Sequence, residues 1–284
     1  MKFTSPSLRV AMLGVGVVLA TALSHAAETV KPLKALLIIG GCCHDYANQK
    51  EILKHGLEAR AHVVVDVIYS ADSNTKPALP IYANPDYAKG YDVVIHDECA
   101  ADIKDPAVIQ GVLKPHQDGV PGVNLHCAMH SYRFGDFAKP VAAGADNSHW
   151  YEYLGLQSSG HGPQEPIAIA FTDQTNAVSI GLADWTTIRE EHYNNVQVYP
   201  TAHALARGTQ VIKNKAGEPQ RTNDFVVAWE NIYQGKTRVF STTIGHNNET
   251  VADARYLDLV TRGVLWACDK LDANGKPRPG YAAK

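Results

Sequence analysis

The chain has 284 residues, 45% of them hydrophobic and 19% charged, with a net charge of −3. That balance argues against a nucleic-acid binder, which needs a basic footprint. Five cysteines, an odd number with neither zinc-ribbon nor CxxC spacing, exclude a small disulfide-framed fold.

Lys2 and Arg9 give a positive start, Val10 to Leu23 is apolar, and Ser24-His25-Ala26 puts small residues where a signal peptidase reads. These are the three parts of a secretory leader. The apolar run of 14 residues falls short of the roughly 20 needed to span a bilayer, and no later run is longer. A periplasmic or secreted protein without a membrane anchor is therefore expected, cleaved after Ala26. The mature chain would have 258 residues and, without Lys2 and Arg9, a charge near −5. A domain of that size buries about 70% of its extended-chain surface and needs no staple. Cys42 and Cys43 are adjacent and poorly placed to pair with each other. An exported chain could still form one bridge elsewhere.

Lys34 to Gly40 (KALLIIG) is a continuous apolar run ending in glycine, the mark of a buried parallel strand. Asn48 to Arg60 carries Ile52, Leu53 and Leu57 on one face and predicts a helix. His62 to Ser70 is a second strand. Ala71 to Gly90, rich in Pro, Asn and Asp, is a long loop. Tyr91 to Cys99 is a third strand, and Asp105 to Gln117 a helix with Pro106 in its first turn. Gly122 to His130 supplies a fourth strand and its tip. The alternation predicts an α/β fold: an open, mostly parallel sheet with helices on both faces. Pro166–Thr172, Ala206–Ile212, Asp224–Ile232 and Lys236–Gly245 read as further strands, and Ala252–Cys268 as a closing helix. A single domain over 27–269 with a flexible tail over 270–284 is expected.

In open α/β sheets, ligands bind beyond the carboxyl ends of the strands. The first strand ends in His44 and Asp45, the third in His96, Asp97 and Glu98, the fourth in His126, Cys127 and His130, and a late strand in His246 and Asn247. Each has a bland alternative. Asp45 can cap a helix, and His96 and His130 can be satisfied buried rings. His126 and His130 have helical metal spacing but lack the glutamate of HExxH. A second polar concentration runs Arg189-Glu190-Glu191-His192-Tyr193, too polar for a core strand. It could be a solvated loop, or it could bring a carboxylate to the imidazoles for acid–base work or metal binding. His161 sits in a Gly-His-Gly turn that could face inward. Trp150, in Trp-Tyr-Glu-Tyr-Leu, is either core or a wall on which a sugar stacks. No GxGxxG or GxxxxGK[ST] is present, which argues against nicotinamide and nucleotide chemistry.

The pieces LLIIGGCCHDY, YDVVIHDE, VNLHCAMHS, IREEHYNN, TRVFSTTIGHN and LVTRGVLWA, in this order from Lys34 to Ala267, resemble the ThuA-like (trehalose utilisation) family. That resemblance implies a flavodoxin-like, class I glutamine amidotransferase-like fold. Those amidotransferases carry a cysteine nucleophile on a tight turn after the fourth strand. The family has histidine there, matched here by His126, with Cys127 one residue late. The family's polar cleft carries over to His44, His126, Glu191 and His246, with Asp45 and His161 nearby. His192 stands where the family commonly has leucine, and Asn124 where it prefers glycine.

The resemblance further implies a carbohydrate-processing enzyme acting on a glycoside or keto-sugar, by hydrolysis or elimination. Glu191, His126 and His44 would be catalytic. Asp45, Trp150, His161, Tyr193 and Asn247 would contact a small-molecule sugar. A divalent cation, Zn²⁺ by ligand type, is left open, with His44, His126, Glu191 and His246 as its ligands. A sugar-binding protein without turnover and a thiol hydrolase using Cys127 are the alternatives.

Overall fold

The computed structural model describes residues 1–4 and 30–284; all but four residues of the leader lie outside the described residues. The first half alternates as expected: β1 (Leu33–Gly41), α1 (Tyr46–Glu58), β2 (Val63–Ser70), β3 (Val93–Cys99), α2 (Pro106–Gln117) and β4 (Gly122–Leu125). The second half holds α3 (His149–Leu154), β5 (Leu156–Gln157), β6 (Glu165–Phe171), β7 (Trp185–Glu190), β8 (Gln197–Val198), β9 (Ala202–Lys213), β10 (Pro219–Tyr233) and β11 (Thr237–Thr242). It closes with α4 (Asn248–Val251) and α5 (Ala254–Ala267).

One sheet runs β2-β1-β3-β4-β11-β10-β9-β6-β7. Its first five strands are parallel, and β10, β9, β6 and β7 continue it antiparallel. The parallel part has the flavodoxin-like order, whose topological switch point lies between β1 and β3. Both strands are apolar because both faces are covered: every residue of β3 is buried, and all of β1 except Lys34. The α5 face that presents Leu257, Val260 and Val264 packs on one side of the sheet, each such side chain contributing roughly 1.5–3 kcal/mol by burial.

At the exit of β1, Gly40 and Gly41 take φ of 139° and 103°. A Cβ on Gly40 would run into the Ser70 backbone on β2. Only glycine lets the strand leave between its neighbours here, and this exit throws Cys42 to Asp45 out over the sheet edge.

As expected, Gly122–His130 holds the fourth strand and its tip: β4 stops at Leu125 and a 3-10 turn follows over His126–His130. Several other expectations need correcting. The polar Arg189 and Glu190 end a real strand, β7. It lies at the sheet edge, where Arg189 faces solvent, while Glu190 is buried and its carboxylate accepts backbone N–H groups. The segment after Asp269 is docked, not flexible: His62 N–H donates to the Tyr281 carbonyl at 2.9 Å, and Leu271 bridges Pro277. Two disulfides are present, Cys42–Cys43 and Cys99–Cys127. The adjacent pair can close because Cys43 adopts a left-handed backbone, φ 82°.

Candidate functional site

His126 follows β4 directly and sits at φ 38°, buried, a conformation few non-glycine residues adopt. Such strain clusters at functional positions. Its Nδ1 lies 2.7 Å from the Thr243 carbonyl beyond β11. A carbonyl can only accept, so Nδ1 carries the proton and Nε2 faces the cleft. There Nε2 meets the Tyr193 hydroxyl at 3.3 Å and Glu191 Oε2 at 3.4 Å.

Glu191 is the hub. The same Oε2 lies 3.3 Å from His246 Nδ1 and 3.5 Å from His161 Nε2. His44, from the β1 exit, packs edge-on against both His126 and His246, with ring centroids 4.7 Å away in each case. Ligand nitrogens of His44, His126 and His246 all lie within 4.8 Å of one another. The structure therefore brings His44, His126, Glu191 and His246 together, with His161 as a fifth member.

The electrostatics follow from this crowding. Burial, with repulsion from His126 and His246 behind it, pushes His44 down to about 2. Burial alone would raise Glu191, but contact with His126 and His246 holds it well below the usual carboxylate range. Burial opposes charge on His246, and the Glu191 carboxylate outweighs it and raises the imidazole. The cluster is thus a carboxylate among imidazoles that cannot all be protonated together. Among the described residues, His44 Nδ1 and His246 Nδ1 are buried and make no well-formed hydrogen bond. Unpartnered buried nitrogens with a carboxylate beside them are the donor set Zn²⁺ prefers. The tetrahedral spacing of roughly 3.3–3.5 Å between such donors is matched around Glu191 Oε2, while the imidazole triad is somewhat wider.

Supporting residues fix this geometry. Both carboxylate oxygens of the fully buried Glu190 accept backbone N–H groups, from His246 at 3.0 Å and Asn247 at 3.1 Å. Gln164 Nε2 sits 2.8 Å from His246 Nε2. His130 stacks on Tyr193 at 3.9 Å and bonds Ser158. Glu190 was legible only as part of a polar run, and Gln164 carried no signal, because their partners are 50 or more residues away in sequence.

Other expectations change. Trp150 is no sugar platform: it is 1% exposed, and its indole N–H donates to the Ala128 carbonyl inside the second apolar cluster. Tyr193 is equally buried, and its hydroxyl meets His126 Nε2 at 3.3 Å, so it positions that ring. Asp45 caps α1 by accepting from Asn48 N–H and also accepts from Asn248. It lines, with His44, His246 and Asn247, a cavity of about 450 Å³. Cys127 is buried and pairs with Cys99, which speaks against its serving as a free thiol nucleophile. His192 is not a surface imidazole: it is fully buried, and neither ring nitrogen has a hydrogen-bond partner among the described residues.

A family model described as ThuA, trehalose utilisation, matches residues 34–267. A solved ThuA-like protein from Parabacteroides merdae superposes with a TM-score of 0.58 at 19% identity, covering 89% of this chain and 98% of that one. Another, from Bacteroides uniformis, gives a TM-score of 0.56 at 15% identity, covering 85% and 95%. These likenesses carry the fold. No curated protein matches the chain.

Proposed function

The chain belongs to the ThuA (trehalose utilisation) family, and on that premise we propose that it is an exported carbohydrate-processing enzyme working by acid–base chemistry around Glu191. The observation that carries this reading is a single carboxylate oxygen within 3.5 Å of three imidazoles at the carboxyl edge of the sheet. The substrate class is a glycoside or keto-sugar. The leader supports export.

In a keto-sugar the carbonyl acidifies the neighbouring C–H. A base removes that proton, the electron pair moves onto the carbonyl oxygen, and an acid delivers a proton there or to a departing alkoxide. Imidazoles paired with a carboxylate suit both halves of that exchange. His126 is held by Thr243 so that Nε2 faces the cleft. Glu191 orients the rings and favours a proton on His246. His44, His126, His246 and Glu191 would hold a divalent cation, which when bound supplies Lewis-acid stabilisation of negative charge on oxygen.

The test is turnover of a panel of glycosides and 3-keto-glycosides by mature, untagged protein, alongside Glu191→Gln. Turnover by the parent and its loss in the variant, with ligand affinity kept, is the expected result. A parent that binds sugars tightly but converts none of them would make the protein a binder instead.

A further inference from the structure

A second cavity, of about 360 Å³, is lined in part by His161, whose Nε2 faces Glu191. It is lined by His192, Arg221, Asn223 and Phe225 as well as His161, and no carboxylate lines it. Its loop side is self-satisfied, with Asn194 Oδ1 accepting from the Ser159 and Gly160 N–H groups and His161 Nδ1 donating to the Gly162 carbonyl, whereas the Arg221 and His192 side chains are unengaged among the described residues. Arg221 makes no ion pair there, whereas Arg207 on β9 pairs with Asp224. His192 is 0% exposed, and neither of its ring nitrogens has a partner. Leaving a buried polar group without a partner destabilises a fold, so a fold that keeps two such nitrogens in one ring calls for a reason. The site is shaped to keep the ring in place. Gly208 leaves the space behind it, where a Cβ would come within 3.2 Å of His192 Nε2, and the Phe225 ring sits 5.1 Å away.

We propose that this cavity is a second subsite, which takes a sugar unit bearing an anionic group: Arg221 meets the charge, His192 and Asn223 take hydroxyls, and Phe225 covers the C–H face. A guanidinium is the donor that matches carboxylate and phosphate geometry. A phenyl face beside hydrogen-bonding side chains suits an amphipathic ring. His161 belongs to both places, lining this cavity while its Nε2 faces Glu191. A two-unit ligand laid across His161 would bring the linkage between its units to the Glu191 hub. This inference rests on the sugar reading of that hub.

The experiment reads binding, not turnover, so the two can fail separately. Calorimetric titration of the mature protein would use glucuronate, glucose 6-phosphate, inorganic phosphate and glucose. The expected result is that an anionic sugar binds about tenfold or more tighter than glucose, a margin one charge-assisted contact supplies. Glucuronate ahead of glucose 6-phosphate assigns a carboxylate, the reverse order a phosphate ester. Arg221→Ala removes the margin. His192→Leu weakens the same ligand about tenfold while thermal stability is unchanged or higher, because the orphaned nitrogens are gone. Glu191→Gln leaves this affinity in place even though turnover is lost. Equal binding of glucose and both anionic sugars, inorganic phosphate matching the best sugar, or His192→Leu lowering stability with affinity unchanged would each overturn the proposal.

Discussion

Two clusters in this protein are built from the same residue types and end up with opposite properties. One is the edge cluster, where His44, His126, His161 and His246 surround Glu191. The other lies inside, where His96 and His116 meet Glu98. In the interior almost every atom is matched. His116 Nδ1 donates to the Val120 carbonyl at 2.8 Å, its Nε2 meets His96 Nε2 at 3.1 Å, and His96 Nδ1 reaches Glu98 Oε1 at 3.0 Å. Tyr82 and Tyr132 hydroxyls donate to the same carboxylate oxygen at 2.7 and 2.6 Å. At the edge, three rings approach one carboxylate oxygen at 3.3–3.5 Å, and among the described residues His44 Nδ1 and His246 Nδ1 make no well-formed hydrogen bond. Imidazole count therefore says little about function. Hydrogen-bonding capacity left unused beside a cavity is the informative feature, because only a ligand, ion or substrate can complete it.

The sharpest way to break this contrast is to neutralise each carboxylate in turn. Glu191→Gln should lower turnover by roughly 10²–10⁴-fold, the range for losing acid–base machinery, with a chemical-denaturation midpoint close to the parent's. Turnover above a tenth of the parent's would remove Glu191 from the chemistry. Glu98→Leu should do the converse. It strands two tyrosine hydroxyls and an imidazole in the core, a loss of about 3 kcal/mol or more. Turnover per folded molecule should stay within about twofold. A Glu98→Leu protein as stable as the parent would mean the interior network is not structural.

The parallel half of the molecule was legible because its strands are buried on both faces and read as unbroken apolar runs. The rule that ligands gather at carboxyl ends then picks out His44, His126 and His246 without any homologue. It picks out His96 equally well, and nothing in HDE at the end of β3 says that His96 turns inward to His116. The antiparallel half was less legible. β7 alternates and carries exposed Thr186 and Ile188 beside buried Trp185 and Thr187, so its polar end resembles a loop. Trp150 is apolar on any scale, and only α3 packing decides that it faces Ala128 and not a ligand. The docking of Tyr281 against β2 and the closing of Cys42 on Cys43 depend on tertiary position and on one left-handed residue. Neither leaves a pattern in composition or spacing.

A milder perturbation sharpens the contrast through metal. If the edge cluster alone offers open donors, Zn²⁺ should stabilise the protein through it. At a hundredfold excess over Kd, linkage gives about 2.7 kcal/mol, or a rise of several degrees in Tm. Combining His44→Ala with His246→Ala should abolish the rise. His116→Ala, which lies in the interior, should lower the starting Tm yet leave the Zn²⁺-induced increment intact. An increment that survives in the double edge variant would place the metal elsewhere, and no increment in the parent would leave the site as a metal-free acid–base cluster.

The smallest effect comes from a carboxyl group that has no imidazole in hydrogen-bond reach. Glu230 on β10 is 7% exposed, accepts one hydrogen bond, from Asn176 at 2.8 Å, and leaves Oε1 unpartnered. Burial pushes it up to about 7 from an ordinary 4.5. It shows what Glu191 and Glu98 would do without their rings. The folded state holds the Glu230 proton more tightly than the unfolded chain, so its contribution is greatest below pH 4.5. Stability falls as pH rises from about 4.5 to about 7 and levels off above that. Glu230→Gln, which mimics the protonated acid at every pH, should remove this component of the slope. It should stabilise the protein at pH 8 by roughly 1–3 kcal/mol and change little at pH 4.5. Urea denaturation of parent and variant at both pH values measures it. Parallel profiles would mean that Glu230 is solvated or paired when ionised, and that burial without an imidazole is not enough to raise a carboxyl group in this fold.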